Sequence, residues 1–256
     1  MEQRRRATAK RLGIEPERMP RSIAVIMDGN GRWARQKSLP RYEGHWEGAR
    51  TAKKIALYGV DLGMQSLTLY SFSVENWKRP AEEVKALMHI NAEYLVYIRP
   101  SLMKNNVRLL HLGRMTGLPD TVVTALKRTM EMTRDNTGMV LALALNYGGR
   151  AEIVDATRAV AQAYKAGQIT LDDIDESCMS RHMYTSELAD PDLLIRTASE
   201  MRISNFLLWQ ISYSEFHVTK TLWPDFTETS LEEAIVAYAR RDRRFGALDS
   251  APKSRA

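Results

Sequence analysis

The sequence predicts an α/β protein: a single domain whose mostly parallel central sheet is surrounded by helices. Three observations carry that reading. Short apolar runs alternate with longer amphipathic ones, the pattern of repeated strand–helix–strand units. The chain has 256 residues, a length that one α/β sheet commonly accommodates. Its 44% hydrophobic and 27% charged residues suit a full core and an ordinary surface, and argue against a mostly disordered chain.

Taken in order, the elements are these. The opening "MEQRRRATAKRLG" is basic and has no apolar stretch behind it, which argues against a secretory leader. Residues 1–20 are expected to form a basic extension, either disordered or touching a membrane; the domain is expected over 21–246 and a tail over 247–256. "SIAVIM" (22–27) reads as a buried strand, and "WEGARTAKKIALYGVDLG" (46–63) as a helix ending near a glycine. "SLTLYSF" (66–72) is the next strand. A long helix follows Pro80, with Glu82 and Glu83 at its positive end, and Pro100 should kink or end it. "VRLLHLG" (107–113) and "MVLALALNY" (139–147) are strands, separated by a helix over 119–136. A helix stopped by Gly167, strands at 192–197 and 215–220, and a C-terminal helix over 231–246 complete the series. No internal repeat, low-complexity stretch or linker divides the chain.

The one cysteine, Cys178, permits neither an intramolecular disulfide nor a cysteine metal cluster, which fits a reducing cytoplasm. The longest apolar run, "MVLALAL", is far shorter than the roughly 20 residues of a membrane-spanning helix. A balance of 37 basic and 31 acidic residues gives +6, a modest bias that suits a solvated surface or an anionic ligand. The arginines sit at strand ends around a glycine loop rather than along one exposed helix, so no nucleic-acid partner is expected.

"IAVIMDGNGRWAR" ends an apolar strand on Asp28, followed by Gly29, Asn30, Gly31, Arg32 and Trp33. Open parallel sheets bind ligands at the carboxyl ends of their strands. Gly29 and Gly31 let backbone amides approach a ligand, and the helix expected after them offers free N–H groups and a positive dipole end. Together they favour a phosphate. An aspartate beside phosphates suits a metal ligand, since a bare carboxylate would repel them. On this stretch alone, a tight turn with an Asp cap reads equally well.

Further clusters tip the balance. Arg41 and His45 follow in "LPRYEGHWEGA" just before a helix. "SFSVENWKRP" presents Ser73, Glu75, Asn76, Trp77 and Arg79; "IRTASEMRISNF" presents Arg196, Glu200, Arg202, Ser204 and Asn205. Arginines hold diphosphates by paired hydrogen bonds, and this many cations imply more than one phosphate group. There is no Walker A loop, GxGxxG, HExxH or Ser-His-Asp spacing, and no cysteine nucleophile. Electrostatic chemistry remains, in which a diphosphate leaving group is stabilised while a carbocation develops.

The motifs "MDGNGRWA", "GH…GA", "FS.ENW.RP", "NYGGR" and "IRT..E.RISNFLLWQ..Y.E" run in this order over residues 20–246. By them the chain resembles the cis-prenyltransferase family, and within it the bacterial undecaprenyl diphosphate synthases. The resemblance implies a homodimer, a hydrophobic tunnel in each subunit, and repeated addition of isopentenyl diphosphate to an allylic diphosphate such as farnesyl diphosphate. The product would be a long-chain polyprenyl diphosphate, the carrier lipid for cell-wall glycans, made in the cytoplasm or at the inner membrane face. Asp28 matches the family's Mg²⁺-associated aspartate, and Glu215 a late carboxylate supporting the metal. Gly29, Asn30, Gly31, Arg32, Trp33, Arg41 and His45 match the allylic diphosphate site. Phe72, Ser73, Glu75, Trp77, Arg79 and Glu83 match the next strand end and a mobile lid. Asn76 matches a residue linked to positioning and to proton loss from C2 of isopentenyl diphosphate. Arg196, Arg202 and Ser204 match the isopentenyl diphosphate site; Arg244 and Gly246 match the C-terminal Arg-x-Gly that reaches the partner subunit.

One loop departs from the family pattern. "RTASE" stands where a glycine usually precedes the glutamate, and Met201 replaces a polar or basic residue. If Ala198 or Ser199 has positive φ, the change costs about 1 kcal/mol or shifts the loop. This motivates a second reading inside the family, a short- or medium-chain synthase or an irregular coupling of two allylic units. A non-catalytic subunit is a third reading, opposed by the intact Asp28, Asn30, Arg32 and Asn76.

Overall fold

A computed structural model describes residues 1–241. Its strands are β1 (Ser22–Ile26), β2 (Ser66–Ser73), β3 (Arg108–Leu112), β4 (Val140–Tyr147), β5 (Leu193–Arg196) and β6 (Glu215–Val218). They form one sheet in the order β3-β4-β2-β1-β5-β6, and every neighbouring pair is parallel. The inner strands are buried on both faces, which is why β1 and β4 read as continuous apolar runs rather than alternating ones.

The helices are α1 (Glu2–Leu12), α2 (Asn30–Gln36), α3 (Arg41–Leu62), α4 (Ala81–Lys104), α5 (Asp120–Thr133), α6 (Gly149–Lys165), α7 (Glu176–His182) and α8 (Glu228–Ala239). The larger core joins one face of the sheet to α3, α4, α5 and α8 through residues such as Ile55, Leu95, Leu126 and Ile235. The smaller core lies on the other face, where Tyr70 stacks on Phe206 at 4.3 Å and Tyr147 meets Phe206 edge-on at 5.9 Å. Gly167, with φ +70°, closes the segment after α6 as its sequence position predicts.

Three expectations are corrected here. Residues 2–12 are not a loose extension: they form α1, whose Ala9 is fully buried. Arg5 is 4% exposed and donates to the carbonyls of Pro16 and Met19, while Arg4 donates to the Val60 carbonyl of α3. The guanidiniums that looked free in the sequence thus dock the helix by satisfying carbonyls. Second, α4 continues through Pro100 to Lys104. Proline leaves the carbonyl four residues earlier without its helical donor; that residue, Val96, is 50% exposed, so water is available to it. Third, α3 starts at Arg41, so Arg41 and His45 lie in its first two turns rather than ahead of it. The sequence pattern also misses α7, seven residues with a side-chain cap from Asp175 to the amide of Cys178.

Candidate active site

The carboxyl ends of three adjacent strands, β2, β1 and β5, supply the site. Asp28 follows β1, Phe72 and Ser73 end β2, and Arg196 ends β5. The backbone at Asp28 is pinned: its carbonyl accepts from the Trp223 amide at 2.9 Å and from the Thr197 hydroxyl at 2.7 Å. Gly29 has φ +116° and precedes α2; a β-carbon there would lie 2.9 Å from the Leu222 backbone. Only glycine allows this turn and approach together.

A cavity of about 260 Å³ opens over these ends. It is lined by Asp28, Gly29, Asn30 and Gly31, by Arg41 and His45, by Phe72, Ser73, Asn76 and Arg79, and by Arg196, Arg202 and Ser204. Those are thirteen of the site residues that the sequence proposes, drawn from four separate segments. A neighbouring cavity of about 600 Å³ shares Asp28, Gly29, Gly31, Arg41 and Arg202 and adds Arg32, Arg35 and Glu200. Two cation-lined spaces therefore meet at Asp28.

The charges are already paired across the site. Asp28 Oδ2 accepts from Arg196 Nε at 3.0 Å and Nη2 at 2.6 Å, and Arg196 Nη1 donates to Ser204 Oγ at 2.9 Å. Arg32 donates to the Ala198 carbonyl at 3.0 Å and to Glu200 at 2.9 Å; Arg202 donates to the same carboxylate. These arginines hold Glu200 below the usual carboxylate range, Arg202 most strongly. Glu83 accepts from Arg79 at 2.9 Å and pairs with Arg41 at 3.3 Å. Glu83 thus ties the segment after β2 to the start of α3 without itself lining either cavity.

Ser73 and Asn76 cap each other in the 3-10 turn Val74–Lys78, with Asn76 Oδ1 accepting from the Ser73 amide at 3.1 Å. This bond fixes the Asn76 side chain at the mouth of the cavity. Glu75 accepts from Asn205 at 2.8 Å, and Trp77 donates to Asn146 Oδ1 at 2.8 Å while meeting Phe72 edge-on. Asn146 itself sits at φ +54°, a conformation asparagine tolerates better than most residues.

Burial, with the charges of Arg79 and Arg41, pushes the His45 imidazole down to about 4, against the pull of Glu83. His45 is therefore neutral near pH 7, with one ring nitrogen able to donate and the other to accept. Its Nε2 and the Asn30 Oδ1 are buried without a hydrogen-bond partner among the described residues. Both residues line the first cavity, where a bound polar ligand would satisfy them.

Two residues that the resemblance brings to the site stand apart from these cavities. Trp33 lines neither cavity. Its indole donates to Asp225 at 2.7 Å and Lys37 lies over its ring, so it anchors α2 from outside. Glu215 does not join Asp28 within the subunit. It pairs with Leu193 at the start of β5, whereas the site lies beyond Arg196 and Val218, about 10 Å further along the strands. Its carboxylate accepts from Arg241 at 2.5 Å instead. Arg244 and Gly246 lie outside the described residues.

The altered loop is strained as the sequence suggests. Ala198 has φ +65° and Ser199 φ +59°, each costing about 1 kcal/mol relative to glycine. Their amides donate to the carbonyls of Thr221 and Thr219, which hold the loop in this left-handed path. Met201 is 88% exposed and lines neither cavity.

An apolar space of about 70 Å³ continues from the first cavity between α3, α4 and the sheet, lined by Ala52, Leu69, Leu87, Ile90, Tyr94 and Leu143 among others. The Ser71 hydroxyl donates to Asn91 at 2.6 Å inside it.

The match to known proteins decides what this constellation belongs to. The family model described as putative undecaprenyl diphosphate synthase matches residues 26–246. The chain belongs to the cis-prenyltransferase family. It is 48% identical over 245 residues to a Micrococcus luteus ditrans,polycis-undecaprenyl-diphosphate synthase ((2E,6E)-farnesyl-diphosphate specific), covering 96% of this chain and 98% of that protein. It is 47% identical to a Bacillus subtilis isoprenyl transferase, covering 90% and 88% respectively. Among solved structures, lavandulyl diphosphate synthase from Lavandula x intermedia, in complex with dimethylallyl diphosphate, superposes with a TM-score of 0.87 at 35% identity over 90% of this chain and 99% of that one. A probable undecaprenyl diphosphate synthase from Campylobacter jejuni gives 0.74 at 30% identity over 89% and 98%.

For a prenyltransferase the donor set at Asp28 is a fair fit to Mg²⁺. No group of three or more His, Cys, Asp or Glu residues able to hold a metal occurs among the described residues. Mg²⁺ is commonly held by one or two carboxylates together with substrate phosphates rather than by an all-protein cage, and Asp28 beside the arginines offers that arrangement. Both bonds from Arg196 fall on Oδ2, leaving Oδ1 as a further acceptor. No helix among the described residues is long and apolar enough to cross a membrane.

Two residues with no assigned role in the sequence pattern matter here. Glu200 was visible as a strand-end acid, but its position between two arginines is set by the left-handed backbone before it. Asp225, which anchors Trp33, lies in "LWPDF" with no local signal of a partner on α2.

Proposed function

We propose that this prenyltransferase condenses isopentenyl diphosphate repeatedly onto farnesyl diphosphate, giving a long-chain cis-polyprenyl diphosphate of the undecaprenyl class. The observation that carries this reading is the meeting of two cation-lined cavities at Asp28, with an apolar space leading away from one of them. Together the two cavities offer cations enough for two diphosphates, and the apolar space suits the hydrocarbon.

In this reading the allylic C1–O bond breaks and the diphosphate leaves with the electron pair. Arg32, Arg41, the neutral His45 and the free amides of α2 already face that charge, so little reorganisation is needed. Mg²⁺ held by Asp28 would withdraw further charge from the leaving oxygens. Arg196, Arg202 and Ser204 hold isopentenyl diphosphate so that its alkene attacks C1. The C2 proton then passes to an oxygen of the released diphosphate, with Asn76 positioning the reacting groups. At about 70 Å³ the apolar space holds only two or three waters' worth of volume, so α4 must move aside as the chain grows.

A homodimer fits the edge of the sheet. On the edge strand β6, Phe216 and Val218 are 41% and 38% exposed, an apolar pair that a second sheet would cover. The lipid product calls for release at the cytoplasmic face of a membrane. The strained "RTASE" loop and the superposition on a lavandulyl synthase favour a second reading, the coupling of two allylic units. Binding separates the two readings. Arg202→Ala should weaken isopentenyl diphosphate by about ten- to a hundredfold, and farnesyl diphosphate by less than about threefold, in titration calorimetry. Equal weakening of both ligands would contradict a two-site division with isopentenyl diphosphate as acceptor.

A further inference from the structure

We propose that Glu200 is a positioning residue that couples the two diphosphate sites, because it holds one arginine from each. This rests on the proposed function, in which the segment around Arg32 holds one diphosphate and the segment around Arg202 the other. One carboxylate oxygen, Oε1, accepts from Arg32 at 2.9 Å, and the other, Oε2, accepts from Arg202. Arg32 belongs to the loop assigned to the allylic diphosphate, and Arg202 to the segment assigned to isopentenyl diphosphate. Arg32, Glu200 and Arg202 all line the second cavity, and Arg202 lines the first as well.

A bare carboxylate among phosphate ligands is unfavourable by charge alone, so its presence requires a compensating gain. Orientation provides one. The side chains of Arg32 and Arg202 are 41% and 65% exposed, and each would otherwise sample many rotamers. A guanidinium carries five N–H groups, so one bond to Glu200 leaves others for a phosphate. Glu200 itself is fixed from behind. Arg32 also donates to the Ala198 carbonyl, and the left-handed Ala198–Ser199 pair is tied to Thr221 and Thr219.

The consequence is thermodynamic. A diphosphate that immobilises Arg32 also immobilises Glu200, and through it Arg202. The second ligand then meets an arginine whose ordering has already been supplied by the first. Each substrate should therefore raise the affinity for the other, and by linkage the factor must be the same in both directions. Ordering one long side chain corresponds to a factor of about three to ten. A glutamine cannot bridge in the same way, because its amide offers one acceptor oxygen rather than two.

The test is the affinity for isopentenyl diphosphate, by titration calorimetry in Mg²⁺ buffer, with and without the unreactive thiolo analogue of farnesyl diphosphate at saturation. In the wild type the analogue should tighten isopentenyl diphosphate by about three- to tenfold. In Glu200→Gln the factor should fall close to one while each ligand alone still binds. Glu200→Ala, which removes both acceptor oxygens, should do the same and carries the test if Glu200→Gln does not fold. Glu200→Asp, with both oxygens retained, should restore part of the factor. A merely structural role would lower the melting temperature and weaken each ligand alone without changing the factor. A factor unchanged in Glu200→Gln, or equal to one in the wild type, would overturn the proposal. Failure of either ligand to bind the wild type would instead overturn the two-site reading itself.

Discussion

Asp28→Asn is expected to lower turnover by about a thousandfold while the fold survives. Asparagine keeps the shape and one acceptor oxygen, so Arg196 retains a partner, but the negative charge is gone. Asp28→Ala is a less clean variant. It leaves Arg196, whose side chain is only 6% exposed, with Ser204 as its remaining side-chain acceptor among the described residues, at a cost of about 1–3 kcal/mol. Steady-state turnover at saturating substrates, alongside a thermal melt, separates lost chemistry from lost structure. Wild-type turnover by Asp28→Asn in Mg²⁺ would mean that the metal assignment is wrong. A thousandfold loss accompanied by a large fall in melting temperature would assign Asp28 a structural role instead.

Gly44→Ala should damage the site from outside it. Gly44 and Gly48 lie one turn apart on α3 and face α2. A β-carbon on Gly44 would overlap the Asn30 carbonyl oxygen and lie 2.8 Å from its carbon. A β-carbon on Gly48 would lie 2.5 Å from Asn30 Oδ1. Both atoms belong to backbone or to a packed side chain, so α2 itself must shift. Overpacking of this kind costs about 1–3 kcal/mol. A displacement of about 1 Å at the diphosphate loop can lower catalysis by about a hundredfold. The expected result is a lower melting temperature together with a loss in kcat/KM for the allylic substrate. An unchanged melt and unchanged kinetics would show that α2 tolerates displacement and that the close packing has no catalytic consequence.

These two positions also illustrate what the sequence discloses. Asp28 is legible because a buried apolar run must stop somewhere, and a carboxylate flanked by glycines is a poor continuation of a strand. "GH…GA" shows its spacing but not its purpose, since the reason for the glycines is a helix that packs against them. The inner strands are legible from their apolar runs, because a parallel sheet covered on both faces leaves no polar alternation; β6, at the edge, reads instead as the alternating "EFHV". Helix α1 is not legible: its buried face is made of Arg5, Thr8 and Ala9, which no hydrophobic pattern detects. The site residues on β1, β2 and β5 converge because strand ends in a parallel sheet share one edge. Glu215 departs from that logic, since it opens its strand rather than closing it. Trp33 departs too, because a helix of seven residues presents its sides in different directions and the indole falls on the face toward Asp225. Glu200 is bridged to Arg32 by a backbone conformation that no local propensity favours.

The most direct measurement is product sizing. The full-length protein would be incubated with farnesyl diphosphate and labelled isopentenyl diphosphate, with Mg²⁺ and with EDTA, and the dephosphorylated products separated by chain length. Long polyprenyl products that vanish with EDTA are expected. Label confined to short products, or coupling of allylic units without isopentenyl diphosphate, would contradict long-chain synthesis at the site around Asp28.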